Sequence, residues 1–321
     1  MEDVIDASDA DHADAIEGNA NVSQPSDQGD AHLADLPGSD ALDGREASKI
    51  TGAARTAFVV LCGPVASGKT TLLTSIYEKF GEGPFAGYIF AGSRTLMGFE
   101  SRSFLGRTAS YLKEANTERT PLENVRQFLH LCVRVEDLSR APQDIILPDV
   151  TGELFEDAQH STDDSRRLEM LKRADRVVVL VDGEKIVKPA QRHGAHVAAD
   201  SFIRRCIESG MLGVDTAVDL VFTKWDLVAD GDKEAGIQFV DEVSAELEAT
   251  YGERLGLLRF CRVAACPQNE KLPFAYGIEE LFREWPDARR PATLSDRESV
   301  EPAATREFDR IVDRMGKTLG R

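Results

Sequence analysis

The chain has 321 residues, enough for one large domain or two small ones, and 42% of them are hydrophobic, which supports a real core. Its net charge is −18, with thirteen acidic residues among the first 50 against only Arg45 and Lys49. Nucleic-acid backbones and anionic membrane surfaces both require clustered Lys and Arg, so neither is expected as a partner.

Residues 1–54 are rich in Asp, Ala, Gly and Ser and poor in large apolar residues. Such a composition cannot bury enough surface to offset its ordering entropy, and it predicts a disordered acidic arm. The arm serves either as a solubilising tail or as a docking segment for a basic partner. The five cysteines, Cys62, Cys132, Cys206, Cys261 and Cys266, are widely spaced and form no C-x-x-C pair. They predict a reducing, cytoplasmic setting without disulfides or a zinc site. No apolar run reaches membrane-spanning length, and the acidic N-terminus reads as neither a signal nor a transit peptide.

The globular part is expected over residues 55–286. Strands are predicted at 56–62, 127–135, 144–149, 176–182, 218–223 and 257–263, with Tyr88–Phe90 as a further short candidate. Helices are predicted at 69–80, 95–115, around 163–173, at 197–207, around 237–247 and at 278–285. The short link between the second and third of the six strands implies one antiparallel pairing. Alternating strands and helices give an α/β fold: a mainly parallel six-stranded sheet with one antiparallel strand and helices on both faces. Residues 287–321 read as a polar linker followed by an amphipathic helix, about 303–318. Its stripe of Phe308, Ile311, Val312, Met315 and Leu319 either packs on its own domain or meets a partner.

One stretch organises the chemistry. Gly63-Pro64-Val65-Ala66-Ser67-Gly68-Lys69-Thr70 matches G-x-x-x-x-G-K-[ST] at every specified position, between a strand and a helix. Backbone N–H groups of such a loop and the following helix N-terminus make an anion site. Lys69 would reach the β- and γ-phosphates, and the Thr70 hydroxyl would hold Mg²⁺.

Three later stretches narrow the ligand. Asp149-Val150-Thr151-Gly152 ends an apolar strand. An aspartate there holds Mg²⁺ through water, and glycine lets a backbone N–H approach the γ-phosphate. Thr223-Lys224-Trp225-Asp226 follows another strand, where a carboxylate can accept both the ring N–H and the exocyclic amine of guanine. Adenine offers no such donor pair, so Asp226 can reject ATP. Ala264-Ala265-Cys266 follows the last strand, where the Ala265 N–H can reach the guanine oxygen. Taken singly, the last three stretches also read as ordinary strand-end turns.

Together, in this order, these elements resemble the Ras-like P-loop GTPases of the translation-factor-related class. The resemblance spans about 56–285 and implies the three-layer GTPase fold. Ser67–Tyr77, with Phe90-Ala91-Gly92-Ser93-Arg94-Thr95-Leu96 and Gly98-Phe99-Glu100, further resembles the bacterial type 2 double-GTPase proteins of biological conflict systems. That likeness implies a GTP-hydrolysing switch acting beside an effector protein. The implied nucleotide contacts are Gly63, Ser67, Gly68, Lys69, Thr70, Thr71, Asp149, Gly152, Thr223, Lys224, Asp226 and Ala265.

The chain departs from the family pattern in three places. Thr223 stands where N-K-x-D has asparagine. Glu153 stands where Ras-like proteins place the glutamine that orients water; it orients or deprotonates the water, repels charge and slows hydrolysis, or caps the following helix. The stretch 85–123 is long for a first switch, where a threonine should meet Mg²⁺ and the γ-phosphate: Thr120 fits by position and Thr95 is its rival. Arg94, Arg102 and Arg107 lie there too, and Arg94 is the candidate for an arginine acting in cis on transition-state charge. Two other functions fit the same motifs: a GTP-dependent scaffold with negligible turnover, and an ATPase in which Asp226 reads no base.

Overall fold

The structure, a computed structural model, describes residues 40–111, 127–230 and 233–287. In chain order these form α1 (Gly44–Ala53), β1 (Thr56–Cys62), α2 (Lys69–Glu82), β2 (Tyr88–Gly92), α3 (Leu96–Tyr111), β3 (Phe128–Val135) and β4 (Gln143–Pro148). There follow α4 (Gly152–His160), α5 (Thr162–Ser165), a 3-10 stretch (Arg166–Arg173), β5 (Arg176–Asp182), α6 (Gly183–Val187) and α7 (Pro189–Glu208). β6 (Ala217–Thr223), α8 (Trp225–Asp230), α9 (Lys233–Tyr251), β7 (Leu257–Arg262) and α10 (Ile278–Arg283) complete the order.

Among the described residues seven strands make one sheet, in the order β2-β3-β4-β1-β5-β6-β7. β4, β1, β5, β6 and β7 run parallel, whereas β3 is antiparallel to both β4 and β2. The short Tyr88 run supplies the strand beyond the expected six. All seven residues of β5 are buried, as an uninterrupted apolar strand in the middle of a two-sided sheet should be. β1 shows how the faces divide. Val60 and Cys62 join a core with Leu154 and Phe155 of α4, Phe202 of α7 and Val243 of α9. Val59 and Leu61 join the opposite core, with Leu72 and Ile76 of α2 and Leu281 and Phe282 of α10. Successive side chains of a strand point to opposite faces, so helices cover both. Among the described residues no helix is long and apolar enough to cross a membrane.

The expected disordered arm is corrected over residues 40–54, which join the domain. Asp43 caps α1 by accepting the Arg45 and Glu46 N–H groups at 2.8 Å, while Glu46 accepts the Asp43 N–H at 2.9 Å. Leu42 and Ile50 are buried against Ile146, with Phe58 and Phe128 packed alongside. Leu42 and Phe128 exchange two backbone hydrogen bonds, of 2.9 and 3.0 Å. Residues 1–39, the expected helix at 303–318 and Thr120 lie outside the described residues. Two helices also differ. α7 begins at Pro189, which occupies the first helical position, where a missing N–H costs nothing. The stretch around 163–173 is broken into α5 and a kinked 3-10 stretch.

Candidate functional site

The parallel strands deliver their C-terminal ends to one edge of the sheet, where an open α/β fold binds ligands. β1 runs into the glycine loop. Gly68 has φ of +94°, a left-handed conformation that lets the chain turn into α2 at Lys69. Lys69 Nζ donates to the carbonyls of Gly63 at 2.7 Å and Pro64 at 3.0 Å, closing the ammonium onto its own loop. Burial pushes its pKa below the ordinary 10.5, against the pull of Asp149, Glu153 and Glu156. A phosphate would offer this lysine charged acceptors in place of neutral carbonyls. Ser67 is buried, and among the described residues its Oγ has no hydrogen-bond partner. Thr70 and Thr71 lie in the first turn of α2, both partly exposed.

β4 delivers Asp149, whose N–H continues the ladder by donating to Gln127 O at 3.0 Å. Arg102 of α3 reaches its carboxylate, Nη2 to Oδ2, at 3.0 Å. Thr151 caps α4, accepting the Leu154 N–H at 3.4 Å. Gly152 permits a close contact: a Cβ there would lie 2.5 Å from the Val65 nitrogen and 2.8 Å from its Cα. α4 therefore starts flush against the glycine loop. Glu153 lies in the first turn of α4, where a carboxylate complements the helix dipole.

β6 delivers Thr223, which is buried. Its hydroxyl donates to Ser67 O at 2.8 Å and stands 3.2 Å from Val181 O. The hydroxyl thereby ties β6 to the glycine loop. Lys224 adopts φ of +49°, and its ammonium sits 3.0 Å from both Asp182 and Glu184. Burial would lower its pKa, but those two carboxylates outweigh it and the net shift is upward. Asp226, in the first turn of α8, is also buried and accepts the Gln268 N–H at 3.0 Å. Ala265 O accepts from Ser75 Oγ of α2 at 3.2 Å and from the Ala275 N–H at 3.1 Å, holding the loop after β7 beside the glycine loop's helix.

The first-switch candidates are placed differently. Thr95 is buried, and its Oγ1 accepts the His130 N–H at 2.9 Å, which makes it a brace between α3 and β3. Arg94 is exposed, and its N–H donates to His130 Nδ1 at 3.0 Å. His130 Nε2 lies 2.9 Å from Asp144, so the ring is the neutral tautomer protonated on Nε2. Of the arginines with described side chains in this stretch, Arg102 rather than Arg94 meets the site. Sequence reasoning also missed the Asp182–Lys224 and Gln268–Asp226 contacts. Asp182, a carboxylate ending the most strand-like run, was the one signal available.

Thr70 and Asp149 offer hydroxyl and carboxylate oxygens, the hard donors that Mg²⁺ takes with few protein ligands. The partnerless Ser67 Oγ and a lysine turned onto loop carbonyls fit a cradle built for a charged ligand. The residues present therefore suit Mg²⁺ carried with nucleotide phosphates.

A mainly parallel sheet bearing this glycine loop, D-x-x-G and T-K-x-D along one edge defines a P-loop GTPase fold. Residues 57–286 match the family described as Double-GTPase 2, and the chain belongs to that family. Among solved structures it is similar to the signal recognition particle receptor SRb-GTP/SRX complex from Chaetomium thermophilum, at 15% identity, covering 71% of this chain and 96% of that one, with a TM-score of 0.39. It is similar to the G domain of the T. maritima FeoB iron transporter at 15% identity, covering 73% and 99%, with a TM-score of 0.34. The S. cerevisiae Ski7 GTPase-like domain, bound to GDP and inorganic phosphate, is 14% identical over 75% of this chain and 51% of that one, with a TM-score of 0.40. Among curated proteins no relative matches the chain.

Proposed function

We propose that this chain binds GTP with Mg²⁺, hydrolyses it, and acts as a switch on an effector protein in a bacterial conflict or defence system. The observation that carries the nucleotide reading is the Thr223–Ser67 bond. It binds the base-reading strand to the phosphate loop, so that Asp226 and Lys69 belong to one site. Lys69 pairs with the β- and γ-phosphates, and loop N–H groups hold the chain of phosphates. Mg²⁺, when bound by Thr70 and Asp149, neutralises charge on the phosphate oxygens. Asp226 accepts the two guanine donors while Lys224 covers the base. The α4 turn at Gly152 orders against the γ-phosphate and relaxes when it leaves. Family membership and the conflict-system likeness of Ser67–Tyr77 support the effector role.

Glu153 favours a second reading, a GTP-dependent scaffold with slow turnover. A carboxylate in the first turn of α4 suits that helix end without any part in orienting water.

One experiment separates these. Labelled GTP is titrated into the wild type, Lys69→Ala and Asp226→Asn, with ATP and XTP as competitors, and phosphate release is followed. GTP binding that excess ATP cannot displace, is abolished in Lys69→Ala and shifts to XTP in Asp226→Asn supports the reading. Unchanged base preference in Asp226→Asn sinks the guanine assignment. Multiple-turnover phosphate release sinks the scaffold.

A further inference from the structure

We propose that Arg102 is a latch on the metal side of the site: its guanidinium competes with Mg²⁺ for Asp149 and gives way when Mg²⁺ arrives with nucleotide. The inference rests on the guanine-nucleotide reading and adds a regulatory residue to it.

The geometry is specific. Arg102 Nη2 donates to Asp149 Oδ2 at 3.0 Å, and Nη1 donates to the carbonyl of Gly98, one turn back in α3, at 2.9 Å. The guanidinium is thus fixed at two points and aimed at the end of β4. The pair is mostly withdrawn from water, with side chains 23% and 17% exposed. A carboxylate so placed would be costly without a cation nearby; Arg102 pairs with it, and Lys69 feels its charge as well. Mg²⁺ held by Asp149 through water would bring two positive charges close to the same carboxylate. A guanidinium 3.0 Å from Asp149 would then share its acceptor with that water and face a dication. The two cations compete for one carboxylate.

Release does not require α3 to leave. Phe99 is fully buried and stacks on Tyr77 of α2 with ring centroids 5.3 Å apart. Ser103 Oγ bonds Glu78 of the same helix. The backbone of α3 is held on both sides of Arg102, so the guanidinium alone swings, about side-chain torsions. The ionic bond broken in that swing raises the Mg²⁺ concentration at which nucleotide is retained. The latch therefore sets a threshold for loading.

The test uses the full chain loaded with a fluorescent GDP analogue. Nucleotide release is followed while free Mg²⁺ is varied, for the wild type, Arg102→Ala, Arg102→Gln and Arg102→Lys. Hydrogen bonds to charged groups are worth about 1.5–3 kcal/mol, so the Mg²⁺ midpoint should fall about tenfold or more in Arg102→Ala and Arg102→Gln. Arg102→Lys keeps the charge but loses the two-point hold, so its midpoint should fall between those of the wild type and Arg102→Ala. Midpoints in Ala and Gln variants equal to wild type, or raised, overturn the latch. An unchanged midpoint with hydrolysis lowered about a hundredfold also overturns it, and makes Arg102 a catalytic arginine instead. A wild type that binds no guanine nucleotide overturns the underlying nucleotide reading, an outcome distinct from an unmoved midpoint.

Discussion

Thr223→Val tests whether one hydroxyl holds the two halves of the site together. Valine keeps the shape of threonine and removes only the O–H. The native hydroxyl is buried, donates to Ser67 O at 2.8 Å and lies 3.2 Å from Val181 O. In the variant the Ser67 carbonyl loses its side-chain donor in a place water does not reach, which costs about 1–3 kcal/mol. For a domain of this size each kcal/mol lowers Tm by about 2–4 °C, so a loss near 2 kcal/mol gives a drop of about 4–8 °C. The loosened loop is the one that cradles phosphate, so GTP affinity should fall as well, by up to about tenfold for each 1.4 kcal/mol felt at the site. Thr223→Ser keeps the donor and should stay close to wild type in both measurements. Thermal unfolding by circular dichroism and a fluorescent-nucleotide titration read the two effects. A Thr223→Val protein whose Tm lies within about 1 °C of wild type, with unchanged GTP affinity, would refute the reasoning.

Ile50→Asp should strip α1 from the domain, because it places a charge among Leu42, Ile146 and Phe58; burying one such apolar side chain is worth about 1.5–3 kcal/mol, readable as a lower urea midpoint. Asp219→Asn should be worse. Asp219 is fully buried and accepts from Arg176 and Arg259, each at 2.7 Å, and breaking a buried ion pair costs about 3–5 kcal/mol by the same measurement. His130 supplies a pH dependence. Burial, only partly opposed by Asp144, holds its pKa below the ordinary 6.5, so below that pH the unfolded chain binds a proton that the folded chain does not. Stability must then fall as pH drops from 6.5 toward the lower folded value, and His130→Gln should flatten that slope in denaturant titrations at pH 7 and pH 5.5.

The strands and the glycine loop were legible because each is a local pattern. β5 is a continuous apolar run that a sheet covered on both faces requires, and Gly68-Lys69-Thr70 is a fixed spacing between a strand and a helix. Asp149, Gly152 and Asp226 stood out as site candidates for the same reason, since each lies just past an apolar strand and the three follow in a fixed order. α1 was not legible, because Asp43 and Glu46 cap it by a local device while its burial rests on few apolar residues, Ala47 and Ile50 in the helix and Leu42 just before it. Nothing periodic marks those among so many Asp, Ala and Gly residues. Arg102 was one of three arginines in one stretch, and only the fold shows that its side chain spans from α3 to the end of β4. Thr223 read as a departure from asparagine. The structure gives it a positive role, since a hydroxyl suffices to reach Ser67 O.

The start of β3 is a mechanical junction. Gln127 O accepts the Asp149 N–H on one side, and Phe128 O accepts the Leu42 N–H on the other. Two adjacent peptide units therefore join the N-terminal segment to the strand end that bears the metal-side carboxylate. A pull applied through residue 40 loads Leu42 first, then Phe128, and then the neighbouring bond that sets the height of Asp149. Tension arriving from that direction would be felt at Asp149, inside the candidate site.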